Sequence, residues 1–325
     1  MTNKNLIFLA ISLIVVGFGI FVINDTSSEY TTEVFGTFTN VDYLDIDVNL
    51  AHVNVVAGDS FQVSVSQDTK NPKVAVALKG NKLSVESVGF DTNGDGIVLI
   101  FLNNFISNKV TPEVTITVPN DTYFESIVFD TGVGKVDVMV NLHADKISLE
   151  LGTGSGTFAS LIANDIEIDT SVGRVDIANI KAKNVDIESG TGNVTVNSID
   201  SDILTIDTSV GNVNVANIEA NTVNIESGTG NVDLPNVVAL DVFASTSVGN
   251  VKLGGDFINS VTLSTGTGNV DLIVAKAQDY YNYTISSGTG GVYLNNSKVG
   301  DYVGGTGEKQ MYVSSSVGKV NIITQ

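Results

Sequence analysis

The chain has 325 residues, 42% of them hydrophobic, which is enough to bury a core. Thirty-six acidic residues against 16 basic ones give a formal charge of -20, with Arg174 as the only arginine, and such a surface repels nucleic acid and anionic headgroups. The absence of cysteine excludes disulfides, thiolate metal sites, thioester chemistry and a lipid anchor on an N-terminal cysteine; the two histidines, His52 and His143, are far apart in sequence and read as structural residues.

After MTNKN comes LIFLAISLIVVGFGIFVI, Leu6 to Ile23, an uncharged run of 18 residues. As a helix it spans about 27 Å, close to the thickness of a bilayer core. Lys4 precedes it while Asp25 and Glu29 follow, which places the N-terminus in the cytoplasm and the rest of the chain outside. A cleaved signal peptide would need a small-x-small site, but the exit FVINDTSSEY has Val22 and Asn24 there. Residues 1–24 are therefore expected to be an uncleaved transmembrane signal anchor, with the membrane as partner through Leu6 to Ile23.

Residues 25–125 alternate apolar and polar positions without a fixed period, as in VDYLDIDVNLAHVNVVAGDSFQVSV and KVAVALKGNKLSVES. They are expected to form a strand-rich cap of irregular coils or a small sheet. Within them DTNGDG, Asp91 to Gly96, has Asp91, Asn93 and Asp95 at the spacing of a calcium loop, with Gly96 for the tight turn. The twelfth position is Leu102 where an EF-hand needs a bidentate Glu, so the stretch is either a polar hairpin turn or a solitary Ca²⁺ site.

From residue 126 to 325 the chain repeats. The last glycine of each SVG, GVG or GTG triplet gives the register: Gly134, Gly154, Gly173, Gly192, Gly211, Gly230, Gly249, Gly268, Gly290 and Gly318. The intervals are 20, then 19 six times, then 22 and 28, so the last two are expected to carry loops that bulge outward. Positions seven and five before the glycine, and two and four after it, are almost wholly apolar. Ile180, Ile199, Ile218 and Val237 close the remaining side. Short strands of this kind are stable only when equivalent strands of successive turns stack. The fold expected is all-β: a parallel β-solenoid of about ten coils, roughly 50 Å long at about 4.8 Å per coil. Position two before the glycine alternates Gly and Ser while the next alternates Thr and Val from Thr153 to Thr267, as if a 38-residue double coil had been copied. After the glycine, Asn193, Asn212, Asn231, Asn250 and Asn269 fall on one line and are expected to form a ladder.

Four before the glycine stand Asp130, Glu150, Asp169, Glu188, Asp207 and Glu226, followed by Ser245, Ser264, Ser286 and Ser314. Stacked carboxylates repel. Either they splay into water and are screened by salt, or Asp169, Glu188, Asp207 and Glu226 line weak divalent-cation sites, with Ca²⁺ as the cofactor. Tyr281, Tyr283, Tyr293 and Tyr302 cluster in the irregular C-terminal coils, where an exposed aromatic patch is a candidate ligand surface.

An apolar N-terminal segment, alternating strands, VTITVPNDTYFESIVFDTGVGKVDV at Val114 to Val138, and recurrent TSVGNVNV and SGTGNVDL coils together resemble the prokaryotic "putative adhesin" domain-of-unknown-function family. The resemblance covers most of residues 40–325 and rests on the strand ending in Val118 and Pro119 before the first Gly coils. It implies an extracytoplasmic β-solenoid tied to the envelope and supplies no catalytic residues. The chain departs from the family in its very regular coils and acidic face. The expected function is a membrane-anchored, surface-exposed adhesin-like rod with a binding or envelope-structural role, no enzymatic activity, and a surface protein or glycan as ligand. The competing readings are a β-helix carbohydrate-active enzyme, for which one arginine and few aromatics are poor equipment, and a calcium-dependent surface-binding module.

Overall fold

The computed structural model describes residues 30–68, 73–87 and 111–325. The apolar run Leu6 to Ile23 and the turn containing Asp91, Asn93 and Asp95 lie outside them. No helix among the described residues is long and apolar enough to cross a membrane. Those residues are all-β, wound into one parallel-rich sheet, apart from a single 3-10 turn at Gln278–Tyr280.

The 19-residue period is the stacking period. Strand β10 (Val194–Val210) pairs in parallel with β9 (Asp165–Thr191) on one side and β11 (Val213–Thr229) on the other, so that Leu204 lies between Val185 and Val223. Pairing skips Asn197, Asp202 and Ser209, which divides each coil into three sides. The third side is itself a ladder, with Ile199 opposite Ile180 and Ile218. All the predicted inward columns are buried in the regular coils, as Leu204, Ile206, Val213 and Val215 illustrate.

One inward column has the wrong chemistry to be noticed in a hydrophobic pattern. Three before eight of the ten glycines stand buried hydroxyls, Thr131, Thr170, Ser189, Thr208, Ser227, Thr246, Thr265 and Ser315, with Leu151 before Gly154 and the half-buried Ser287 before Gly290. Thr246, Thr265 and Ser315 donate to the carbonyls of Gly230, Gly249 and Gly268, the glycines of the coil beneath, at 3.0, 2.8 and 2.8 Å. Each such bond satisfies a buried hydroxyl and a corner carbonyl at once, whereas among the described residues the buried hydroxyls of Thr170 and Ser189 have no hydrogen-bond partner.

The corner requires glycine for two reasons. Gly192 has φ 153°, which side chains avoid, and a Cβ there would lie 1.4 Å from the carbonyl oxygen of Gly173. Beside it the asparagine ladder forms as the spacing predicts. Asn212 donates its backbone N–H to Asn193 Oδ1 at 2.9 Å, and the same bond recurs from Asn231 to Asn212 and from Asn250 to Asn231.

At both ends the order of coils in space departs from their order in the chain. At the N-terminal end β2 (Tyr43–Leu50) and β3 (His52–Gly58) form a coil stacked on β8 (Tyr123–Ile162), with Leu44 opposite Ile127 and Val53 opposite Val136. The later strands β6 (Lys82–Ser87) and β7 (Glu113–Pro119) lie on the outer side of β2 and β3. Antiparallel pairing then covers this end: β5 (Val74–Lys79) on β6, and β4 (Phe61–Asp68) between β7 and β1 (Tyr30–Phe38). The cap is thus both irregular coils and a small sheet.

At the other end, β18 (Lys309–Thr324) inserts between β13 (Val251–Thr267) with β14 (Val270–Val274) and β15 (Tyr281–Leu294). The coil of Gly318 therefore precedes that of Gly290 in space. This corrects the expectation that the 22- and 28-residue intervals simply bulge as loops. Within the longer interval, β16 (Ser297–Lys298) and β17 (Tyr302–Gly305) fold back and pair antiparallel with β15, covering much of the last edge.

Candidate binding groove

The carboxylates of the predicted file, Asp169, Glu188, Asp207 and Glu226, all face solvent, with Asp207 directly between Glu188 and Glu226. The file runs further than the repeat implied, because the cap adds Asp47 opposite Asp130 and Glu86 opposite Asp47. Burial, then Asp130, Asp45 and Glu86, hold the Asp47 carboxyl above the usual range; burial, then Glu167 and Asp207, do the same at Asp186. Lys82 meets Asp45 at 2.5 Å and Lys146 meets Glu167 at 3.1 Å, which relieves part of the repulsion. Among the described residues no group of three or more His, Cys, Asp or Glu is placed to hold a metal ion.

The tyrosines divide. Tyr281 and Tyr283 are fully buried, which corrects their assignment to an exposed ligand surface. Tyr283 stands in the inward column seven before Gly290, and Tyr281, two residues earlier, shares its face. The Tyr281 hydroxyl donates to the Phe257 carbonyl at 2.5 Å, while the buried Tyr283 hydroxyl has no hydrogen-bond partner among the described residues. Burial, then Tyr302 and Asp279, push the Tyr283 phenol up to about 12. Tyr302 is half-buried against the core, and Tyr293 stays partly exposed with Lys319 Nζ 4.5 Å from its ring centroid. The histidines are occupied: His52 Nδ1 accepts the Lys135 backbone N–H at 3.1 Å, and His143 packs edge-on to Tyr123.

One concavity was not foreseen. An open groove of about 770 Å³ runs along the bend at Asn197 and its equivalents, from Met139 at one end to Pro235 at the other. It crosses the coils of Gly134 to Gly230, roughly 24 Å at about 4.8 Å per coil. One wall is the position three after the glycine: Thr157, Asp176, Thr195, Asn214 and Asp233. The other is two residues further on, Met139, Ala159, Ala178, Asn197, Ala216 and Pro235, where the three alanines are small enough to leave the bend open. The sequence signal was the recurrence of alanine in that column, at Ala159, Ala178 and Ala216, hidden because its neighbour four after the glycine points inward. Carbonyls at the bend are satisfied from the next coil, Asn217 Nδ2 donating to Asn197 O at 3.0 Å and Asn236 Nδ2 to Ala216 O at 3.1 Å. Asp176 pairs with Arg174 Nε at 2.6 Å and Asp233 lies 3.7 Å from Lys252 Nζ.

No curated protein sequence matches the chain. Among solved structures it is similar to a "putative adhesin" from Bacteroides fragilis NCTC 9343, at 16% identity and a TM-score of 0.39, covering 91% of this chain and 98% of that one. It is similar to a "putative adhesin" from Parabacteroides distasonis ATCC 8503, at 12% identity and a TM-score of 0.43, covering 91% and 98%. A "putative lipid binding protein" from the same organism is similar at 12% identity and a TM-score of 0.49, covering 90% and 97%. The family described as Toastrack DUF4097 matches residues 41–323, and the chain belongs to it.

Proposed function

We propose that this chain is a membrane-anchored, surface-exposed, adhesin-like rod that binds a linear ligand along its groove. The observation that carries the reading is the groove itself, open along its length, with a mainly apolar wall interrupted by Asn197 on one side and hydrogen-bonding side chains on the other. Its length favours a polymer over a compact metabolite. The competing reading is a β-helix carbohydrate-active enzyme, which as a glycoside hydrolase would need two carboxyl groups within about 5–9.5 Å of each other across the scissile bond. The two carboxylates among the groove-lining residues, Asp176 and Asp233, are three coils apart, roughly 14 Å at about 4.8 Å per coil. Export and anchoring rest on Leu6 to Ile23 and the charges that flank it.

Two experiments test this. The chain has no cysteine, so a single Ser247→Cys on the exposed corner gives one thiol for a membrane-impermeant maleimide on intact cells. Labelling without lysis supports export, and labelling only after lysis overturns it. For the groove, Ala178→Trp fills the bend; loss of cell-surface or polymer binding with an unchanged unfolding midpoint supports the site, and undiminished binding removes it.

A further inference from the structure

We propose that the groove takes an extended polypeptide segment carrying both basic and aliphatic side chains, an inference that rests on the groove being the binding site. Three properties of its walls point to this chemistry. The apolar surface comes from Ala159, Ala178, Ala216, Pro235 and Met139, the last 68% exposed. Phe158, the aromatic residue of the lining, is itself buried in the core, so the groove has no flat ring on which a sugar could stack. Methyl-lined surface of this kind favours aliphatic side chains.

Charge selects the sign of the partner. Asp176 and Asp233 are the ionisable side chains of the lining, both carboxylates and both partly exposed, in a chain of net charge -20. Arg174 already engages Asp176, but Lys252 stands 3.7 Å from Asp233, too far for a hydrogen bond. A basic side chain is attracted to this wall and an acidic one repelled from it.

Spacing selects the backbone. The two carboxylates sit roughly 14 Å apart along the axis, and an extended peptide advances about 3.3–3.4 Å per residue, so positions i and i+4 fall about 13.5 Å apart on one face. Basic residues four apart therefore meet Asp176 and Asp233, while residues i+1 and i+3 turn to the opposite wall, where Ala178 and Ala216 flank Asn197. Thr195 and Asn214, between the two acids, offer side-chain donors and acceptors to the peptide groups.

The test is fluorescence anisotropy on the full chain in detergent micelles, with labelled 12-residue peptides bearing Lys at every fourth position among Val and Thr. The comparison peptides carry Glu or Gln at those positions, or the same lysines made adjacent, and a labelled neutral hexose oligomer and a labelled fatty acid complete the panel. The expected result is that the spaced Lys peptide binds about tenfold more tightly than the Glu peptide and several-fold more tightly than the adjacent-lysine one, and weakens as salt is raised. Asp176→Asn with Asp233→Asn should bring it to the level of the Gln peptide, and Ala178→Trp with Ala216→Trp should remove it, each variant keeping the parent unfolding midpoint. Equal binding of Lys and Glu peptides, or Lys binding untouched by the two Asn substitutions, overturns the inference. If the hexose oligomer or the fatty acid binds and is lost on filling the groove while no peptide binds, the polypeptide occupant falls and the groove reading stands. If filling the groove changes binding of no probe, both fall.

Discussion

Lys319 donates its backbone N–H to Asn269 Oδ1 at 2.8 Å across 50 residues of chain, whereas the earlier rungs of the same ladder join residues 19 apart. Strand β18 thus occupies the slot that the repeat would have given to β15. The corner column shows the same substitution. In chain order the exposed Val/Thr alternation fails, because Thr289 follows Thr267. In space it continues, since Thr267 pairs with Val317 and Val317 with Thr289. Gly and Ser alternate with it, as Gly266, Ser316 and Gly288. A Cβ at Gly288 would approach the Ser316 carbonyl oxygen to 2.6 Å, as one at Gly190 would approach that of Ser171, so the coil stacked on a Ser-type corner is a Gly-type coil.

Because β18 is held on both sides, its amides should resist hydrogen exchange although they are nearest the C-terminus. We expect Met311–Ile322 to exchange as slowly as β13 and more slowly than Tyr281–Leu294, measured by mass spectrometry of peptic fragments. Fast exchange of β18, as a frayed terminus, would contradict the inserted order.

Gly192→Ala should destabilise by more than about 4 kcal/mol or prevent folding, since both backbone angle and the Gly173 carbonyl exclude a side chain. Gly80→Ala is the control. Gly80 has φ 66° but open space around it, so about 1–2 kcal/mol is expected from backbone strain alone. Denaturant unfolding of both variants separates steric from conformational cost.

Asn231→Ala removes the acceptor of the Asn250 backbone N–H and the donor to Asn212 Oδ1, at 2.9 and 3.1 Å. On this exposed edge water replaces part of each bond, and a loss of about 1–2 kcal/mol is expected by denaturant unfolding. Asn231→Asp keeps the acceptor and should recover part of it.

The raised carboxyls of Asp47 and Asp186 mean that the folded chain holds these protons better than the unfolded one. The fold therefore bears a penalty above the raised values that disappears as pH falls toward 3.8, the ordinary value. Asp47→Asn and Asp186→Asn should each raise the melting temperature at pH 7, by about 1 °C, with the gain shrinking on acidification and at high salt. A decrease at neutral pH would show that these carboxylates stabilise the sheet instead.

Tyr281→Phe and Tyr283→Phe should diverge. The first removes the buried donor to the Phe257 carbonyl and is expected to cost about 1–2 kcal/mol; the second deletes a buried hydroxyl that has no partner among the described residues and should be neutral or stabilising. Burial raises both phenols, Tyr283 to about 12, so stability falls as pH rises past the ordinary value of 10.0 toward that value. The Tyr283→Phe variant should lose less of it, as read by unfolding at pH 9 and pH 11.

Period and side-chain type were enough to place Leu204, Val213 and Ile199 inside and Asn212 on the corner, because inward and outward positions alternate along each strand and like residues stack on like. The same register placed Tyr283 in an inward column, and aromatic clustering was the misleading signal there. The column of Thr208, Ser227 and Thr246 stayed hidden because its hydroxyls read as surface groups until the glycine carbonyls that accept from them are located. The groove stayed hidden because alternation says which way Thr195 and Asn197 point, not the angle at which the chain bends between them.

What the sequence by itself determined is local: the direction of each side chain, the glycine at each corner and the length of one coil, all set by steric and solvation preferences within a few residues. What only the tertiary structure decided is which coil lies beside which, at Gly318 and Gly290 and again where β2 and β3 sit inside β6 and β7. Backbone hydrogen bonds form between any two extended strands regardless of their side chains. The order of near-identical coils is therefore settled by long-range closure of the chain and by corner packing, which appear only when the whole stack is assembled.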